Sequence, residues 1–241
     1  MANYPKQGGK IMYTMTLGYK KKSSGSWILN SLTALSIAFF LISSSVKLIL
    51  NSKFLYYFDI DYLKIAENYN MDKSTIKNNY DILINYIRDK NIEELNLPDF
   101  EMSPEGKIHF EEVKNIFIYI DYLFYITLAL SVIFTIIQLI KRHTTFLKIA
   151  SIALIALPII LAIPFAINFD ATFTLFHKIF FNNDYWLFDP DLDPIINILP
   201  QEFFMHAALG ILLLLIIFSI ILYVIYRCLN KGRNKNSYIF H

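Results

Sequence analysis

Four uninterrupted apolar stretches, at residues 27–50, 116–140, 149–167 and 204–226, dominate this chain. Each is about 19–25 residues long, and ~20 residues of α-helix cross ~30 Å of hydrocarbon. Their apolar residues are continuous rather than alternating, which argues against membrane strands. The pattern therefore predicts an all-α integral membrane protein with four transmembrane helices. Pro158 and Pro164 in the third stretch predict kinks there.

Between the first two stretches the periodicity changes. After Asp72, a helix-start residue, Ile76, Tyr80, Leu83, Ile84 and Ile87 recur at helical spacing to about Lys90. A shorter helix is expected around residues 61–69, with Leu63, Ala66 and Tyr69 in register. Ser103-Pro104-Glu105-Gly106 reads in two ways: a capped helix start feeding the second stretch, or a reverse turn between short strands near Phe100 and Ile108. Tyr56, Tyr57 and Phe58 are expected at the outer membrane boundary, and residues 195–199 as a short interfacial helix.

Charge orients this scaffold. Residues 1–26 carry five lysines and no acid; Lys141, Arg142 and Lys148 follow the second stretch; Arg227, Lys231, Arg233 and Lys235 follow the fourth. Residues 53–115 instead hold thirteen acids against eight bases, and residues 168–203 six acids and one lysine. Basic residues favour the cytoplasmic side, so both termini are expected inside. The resulting organisation is a cytoplasmic leader 1–26, helices 27–50, 116–140, 149–167 and 204–226, and a small, mostly helical extracytoplasmic domain 51–115. A cytoplasmic loop 141–148, an extracytoplasmic interfacial loop 168–203 and a cytoplasmic tail 227–241 complete it. The expected location is the cell membrane, with the chemistry on the extracytoplasmic side.

Composition narrows the chemistry. The chain is 55% hydrophobic with a formal net charge of +2, and no basic stripe with interleaved aromatics points to nucleic acid. The basic inner segments serve as topological signals and can also meet anionic lipid headgroups. Cys228, the single cysteine, lies at the inner end of the fourth stretch, which excludes disulfides and an external thiol nucleophile. No GxSxG, HExxH, Walker loop or GxGxxG occurs.

Two histidines remain in the outer segments near the lipid boundary. His109 precedes Phe110-Glu111-Glu112, and Glu112, one turn along, could orient its imidazole. The bland alternative is a surface histidine in a charged helix start. His177 sits in Leu175-Phe176-His177-Lys178-Ile179-Phe180-Phe181, where aromatic surroundings would keep it neutral and base-competent. The alternative there is a headgroup anchor. His206, four residues after Glu202, could join a metal site, or merely cap or snorkel. A zinc site from His109, His177 and an acid has no supporting ligand spacing. Asp121, five residues into the second stretch, is either paired with Lys47 or part of a polar pocket.

Residues 103–117, SPEGKIHFEEVKNIF, and 176–204, FHKIFFNNDYWLFDPDLDPIINILPQEFF, resemble the two signature blocks of the bacterial lipoprotein intramolecular transacylases (Lit). The resemblance implies a membrane acyltransferase acting on lipoprotein N-termini whose cysteine bears a diacylglyceryl group and a free α-amine. It implies transfer of the sn-2 acyl chain onto that amine, giving the lyso-form. The two family histidines considered catalytic fall on His109 and His177. In that reading His177 is the general base and His109, held by Glu112, the donor to the oxyanion or leaving oxygen. Reversed roles and a covalent acyl-imidazole stay open. Tyr119, Tyr122, Asp121 and Trp186 are pocket or interface candidates. No metal, nucleotide or redox cofactor is implied, and a monomer in contact with membrane lipid is expected. Two other classes compete: a non-enzymatic membrane protein binding an envelope partner through its external domain, and a small-solute transporter. Four spans without paired broken helices argue against the transporter.

Overall fold

A computed structural model describes residues 24–237, and among these the secondary structure is entirely helical. The helices are α1 (Ser24–Asn51), α2 (Lys53–Tyr62), α3 (Ile65–Asn68), α4 (Lys73–Arg88), α5 (Pro104–Ile140), α6 (Thr145–Ile167), α7 (Phe169–Phe180) and α8 (Gln201–Ser237), with a 3-10 turn at Pro194–Ile198. Residues 1–23 of the basic leader and 238–241 of the tail lie outside the described residues.

Among the described residues, three helices are long and apolar enough to cross a membrane: Trp27–Asn51, Pro104–Ile140 and Gln201–Lys231. Helix α6, interrupted by Pro158 and Pro164, contributes a shorter apolar stretch, Thr145–Ile160, and packs against α1 and α8. Lipid gives apolar surfaces no reason to associate, so small residues and polar bonds hold such helices together. Accordingly Ala34, Ala38 and Ala150 are almost fully buried at these contacts. Gln138 Nε2 donates to Asn30 Oδ1 at 3.0 Å, Ser219 Oγ to the Ser151 carbonyl at 2.7 Å, and Asn230 Nδ2 to Thr144 Oγ1 at 3.0 Å. Two of these bonds bring residues 30 and 138, and residues 144 and 230, together near one end of the bundle. Lys47 with Asp121, and Gln201 with Asp170, meet at the other. The four long helices therefore run alternately up and down.

At that second end the two connecting segments share one apolar core. Tyr56, Ile60, Ile76, Tyr80 and Leu83 of α2 and α4 pack with Ile195, Ile198 and Phe203. Tyr56 stacks on Tyr80 with ring centroids 3.6 Å apart, and its hydroxyl donates to the Ile198 carbonyl at 2.6 Å. Tyr56 is thus in the core rather than at the boundary, because that hydroxyl has a partner there. Residues 195–199 are likewise core, not interfacial: Ile195 and Ile198 are fully buried. The 61–69 region splits into the end of α2 and the short α3, since Lys64 between them adopts a left-handed conformation at φ 54°.

Asp72 caps α4, accepting from the Ser74 amide. The ambiguity at Ser103 resolves as a helix start: Ser103 Oγ accepts from the Gly106 amide at 2.9 Å, with Pro104 in the first turn. Helix α5 then runs unbroken into the apolar bundle. His206 Nδ1 lies 2.8 Å from Asp59 Oδ1, a fully buried carboxyl on α2. Burial pushes that carboxyl above its ordinary range, while the imidazole hydrogen bond pulls against the rise.

Ile198 joins the two connecting segments, so Ile198→Ala should open a cavity at their seam. A loss of about 2–5 kcal/mol is expected, measurable as a lower thermal midpoint in detergent.

Candidate active site

The 37 residues of α5 measure ~55 Å at 1.5 Å each, well beyond ~30 Å of hydrocarbon. Its first twelve residues, which include Glu105, Lys107, Glu111, Glu112 and Lys114, therefore stand outside the apolar stretch. His109 lies on this projecting part, ~10 Å above residue 116 if the helix is regular. His177 lies on α7, whose start is capped by Asn168 Oδ1 accepting from the Ala171 amide at 3.0 Å.

The structure brings these two imidazoles together. Their ring centroids are 6.1 Å apart and their planes 34° from parallel. Phe181 and Phe188 meet His109 edge-on at 4.7 and 5.4 Å, and Phe181 also lies 5.6 Å from His177. Trp186 stacks on His177 at 4.7 Å and Phe173 lies at 4.2 Å. His109 and His177 are 6% and 9% exposed. Desolvation by these rings pushes both imidazoles below their ordinary value of 6.5, His109 to about 4, with the neighbouring His177 adding to its shift. Both are neutral at pH 7.

The tautomer of His177 follows from its neighbour. Nδ1 lies 2.7 Å from the Phe173 carbonyl, which can only accept, so Nδ1 carries the proton and Nε2 the lone pair. His109 Nδ1 is buried without a hydrogen-bond partner. Leaving a buried polar atom unpaired costs about 1–3 kcal/mol, the kind of expense that functional sites carry.

A carboxylate clamps the two halves of the site. Asp193, four per cent exposed, accepts from the Ser103 amide at 2.8 Å through Oδ1 and from Ser103 Oγ at 2.7 Å through Oδ2. An anion at a helix N-terminus is favoured there by the unpaired amides and the helix dipole. Gly106 makes the approach feasible: a Cβ at this position would lie 2.3 Å from Asp193 Oδ1.

A family model for the lipoprotein intramolecular transacylase Lit matches residues 31–204, an interval holding both histidines and both segments of the clamp. The chain belongs to the Lit family. It is 44% identical to the membrane integral lipoprotein intramolecular transacylase Lit from Bacillus cereus, with 88% of this chain and 98% of that one covered and a TM-score of 0.84. Histidine-to-arginine and histidine-to-alanine variants of that protein match at TM-scores of 0.82 and 0.81, with the same identity and 88% coverage of this chain and 95% and 96% of theirs. Among curated proteins none matches. The chain is a membrane transacylase.

The other residues singled out in the sequence divide between this site and positions farther along α5. Glu112 does not hold His109: its Oε1 accepts instead from Asn183 Nδ2 at 2.8 Å, because the loop after α7 brings an amide donor to the carboxylate. Trp186 joins the site through its ring, and its Nε1 donates to the Asn183 carbonyl at 3.2 Å. Asp121 pairs with Lys47, so its charge is compensated at the edge of the apolar zone. Asp121 and Tyr122 line a separate cavity of about 770 Å³ with Arg88 and Asn85, which neither histidine borders. At ~100° per residue Asp121 lies ~120° around α5 from His109. Tyr119 is 70% exposed. Among the described residues no group of three metal-ligating side chains occurs.

Sequence reasoning missed Asp193, Asn183 and Phe188. The one available signal was Gly106 in the first turn of a charged helix, where a helix-weakening residue implies a close approach.

Gly106→Ala should displace Asp193 and separate α5 from the loop, lowering both thermal stability and turnover; wild-type values for both would disprove the clamp. A second expectation concerns pH. The folded His109 binds its proton less tightly than the unfolded chain does, so its contribution is intact above pH 6.5 and is lost as pH falls toward 4. Between pH 7 and 5 that amounts to about 2 kcal/mol. The thermal midpoint of His109→Phe should fall less over this interval than that of wild type.

Proposed function

We propose that the chain moves the sn-2 acyl chain of a lipoprotein's diacylglyceryl group onto the free α-amino group of its N-terminal cysteine. The observation that carries this reading is the fixed tautomer of His177, which leaves Nε2 as a lone-pair base beside a second neutral imidazole. The α-amine has an ordinary pKa of ~7.7–8, and its N–H becomes far more acidic as the nitrogen bonds to the carbonyl carbon, so a neutral imidazole can take the proton as the bond forms. As the amine nitrogen attacks the ester carbonyl, its proton passes to His177 Nε2 and His109 donates an N–H to the oxyanion. Collapse breaks the bond to the glycerol oxygen, which takes the proton back from His177. One amide forms and one ester is lost.

The membrane arrangement is part of the proposal. The charge pattern and the up-and-down packing of α1, α5, α6 and α8 support four spans with both termini in the cytoplasm. The imidazole pair then faces the extracytoplasmic side of the cell membrane, at the level of lipid headgroups. Trp186 holds the His177 ring by stacking; Tyr119, Tyr122 and Asp121 act as interfacial contacts beside lipid. Both histidines come from one chain, so a monomer suffices.

His109→Ala and His177→Ala, inserted and folded in membranes, should each lower conversion about 10²–10⁴-fold. Mass spectrometry of diacylglyceryl lipoprotein N-termini reads the result as absence of the N-acyl, monoacylglyceryl form. Substantial lyso-form from either variant would refute the assignment.

A further inference from the structure

Two buried side-chain atoms in and beside this site have no hydrogen-bond partner, His109 Nδ1 and Glu112 Oε2, and they belong to residues one turn apart on α5. The position of Glu112 is fixed. Its Oε1 is held by Asn183, whose carbonyl in turn holds Trp186, the ring stacked on His177. The carboxylate is therefore tied by two hydrogen bonds to the wall of the two-imidazole site. Its second oxygen can only accept, and shielded from water it calls for a donor, a cationic one best of all. The lysines flanking it on α5 are engaged elsewhere: Lys107 Nζ reaches Glu94 at 3.1 Å, and Lys114 Nζ binds the Ile92 carbonyl.

Acyl chains and ester oxygens offer no donor. Of the groups on the proposed substrate, the free α-ammonium supplies both the charge and three N–H bonds. We infer that Glu112 is the residue that recognises the substrate's N-terminal ammonium, through Oε2, and so selects lipoproteins whose α-amine is still unacylated. This rests on the acyl-transfer reading above for the identity of the ligand. It adds a consequence of its own. The bound ammonium gives up one proton to solvent to become the attacking amine; once that amine is an amide, its charge and two of the three N–H bonds are gone, so the product is held less tightly than the substrate.

The test needs no turnover. A cysteinyl peptide bearing a dialkylglyceryl group, with ether links in place of esters, cannot transfer an acyl chain. Its binding is compared in free-amine and N-acetylated forms, to wild type and to Glu112→Gln in detergent. Wild type should prefer the free amine by about tenfold or more, as a charge-assisted hydrogen bond to a half-buried carboxylate implies. The Gln variant keeps the acceptor for Asn183, so its thermal midpoint and its affinity for the N-acetylated peptide should match wild type. Its preference should fall to within about twofold. Equal binding of the two peptides by wild type, or an undiminished preference in Glu112→Gln, would overturn the assignment. Failure of the acyl-transfer reading appears separately, as product made by the histidine variants.

Discussion

The hydrogen bonds of Asp193 to Ser103 are the joint on which the site is built. The imidazoles belong to different segments, one on α5 and one on the helix before α8, separated by sixty-eight residues. No direct bond joins them. They stay near each other because a buried carboxylate closes the loop after α7 onto the first turn of α5. The surrounding core reinforces the same seam, since Ile195 and Ile198 flank this contact and pack among α2 and α4. A buried carboxylate is costly unless satisfied, and here each oxygen has a donor and the helix end supplies favourable potential. The joint is therefore specific as well as strong: a slip of α5 by one residue would leave the charge unpaired.

With the joint in place, desolvation sets the protonation states. Two imidazoles at this separation resist carrying charge together, and the ring of phenylalanines and Trp186 removes the water that would support even one. Neutral imidazole is the form that can accept a proton at one nitrogen while donating at the other. The Phe173 carbonyl then chooses which nitrogen does which on His177. It lies four residues earlier on the same helix, so the choice is made by helical geometry alone and survives small movements of the partner segments.

Much of this was readable in the residues, and the rest was not, for physical reasons. Helix-forming periodicity from Ile76 to Ile87 and the cap at Asp72 are local signals, and α4 follows them. The proximity of His109 and His177 was suggested by their shared side of the membrane and by the two Lit-like blocks, and the structure brings the rings together. Glu112 illustrates the limit. Helical spacing correctly set it beside His109, but the donor it binds, Asn183, comes from seventy-one residues away, and no periodicity encodes that meeting. Tyr56 failed in the opposite sense. An aromatic beside an apolar stretch usually marks the interface; here a carbonyl from the distant 194–198 turn satisfied its hydroxyl and allowed burial. His206 found Asp59 by the same kind of long-range contact.

The aromatic lining also bears on why an acyl chain would reach an amine rather than water. Under the proposed reaction both reactants are tethered to one cysteine, and well-oriented intramolecular reactions attain effective concentrations of about 10⁵–10⁸ M. Bulk water is far below that, yet a base strong enough to deprotonate an amine also activates any water beside it. Excluding water around His177 Nε2 therefore matters as much as placing the base. The rings of Phe173, Phe176, Phe181 and Trp186 all contact this imidazole. The residues that keep it neutral also leave the side chain only 9% exposed, which limits how much water can gather beside it. A more polar pocket could hold an ammonium more easily but would admit the competing nucleophile, and the single carboxylate of Glu112 at the edge of an apolar cage is a resolution of that conflict.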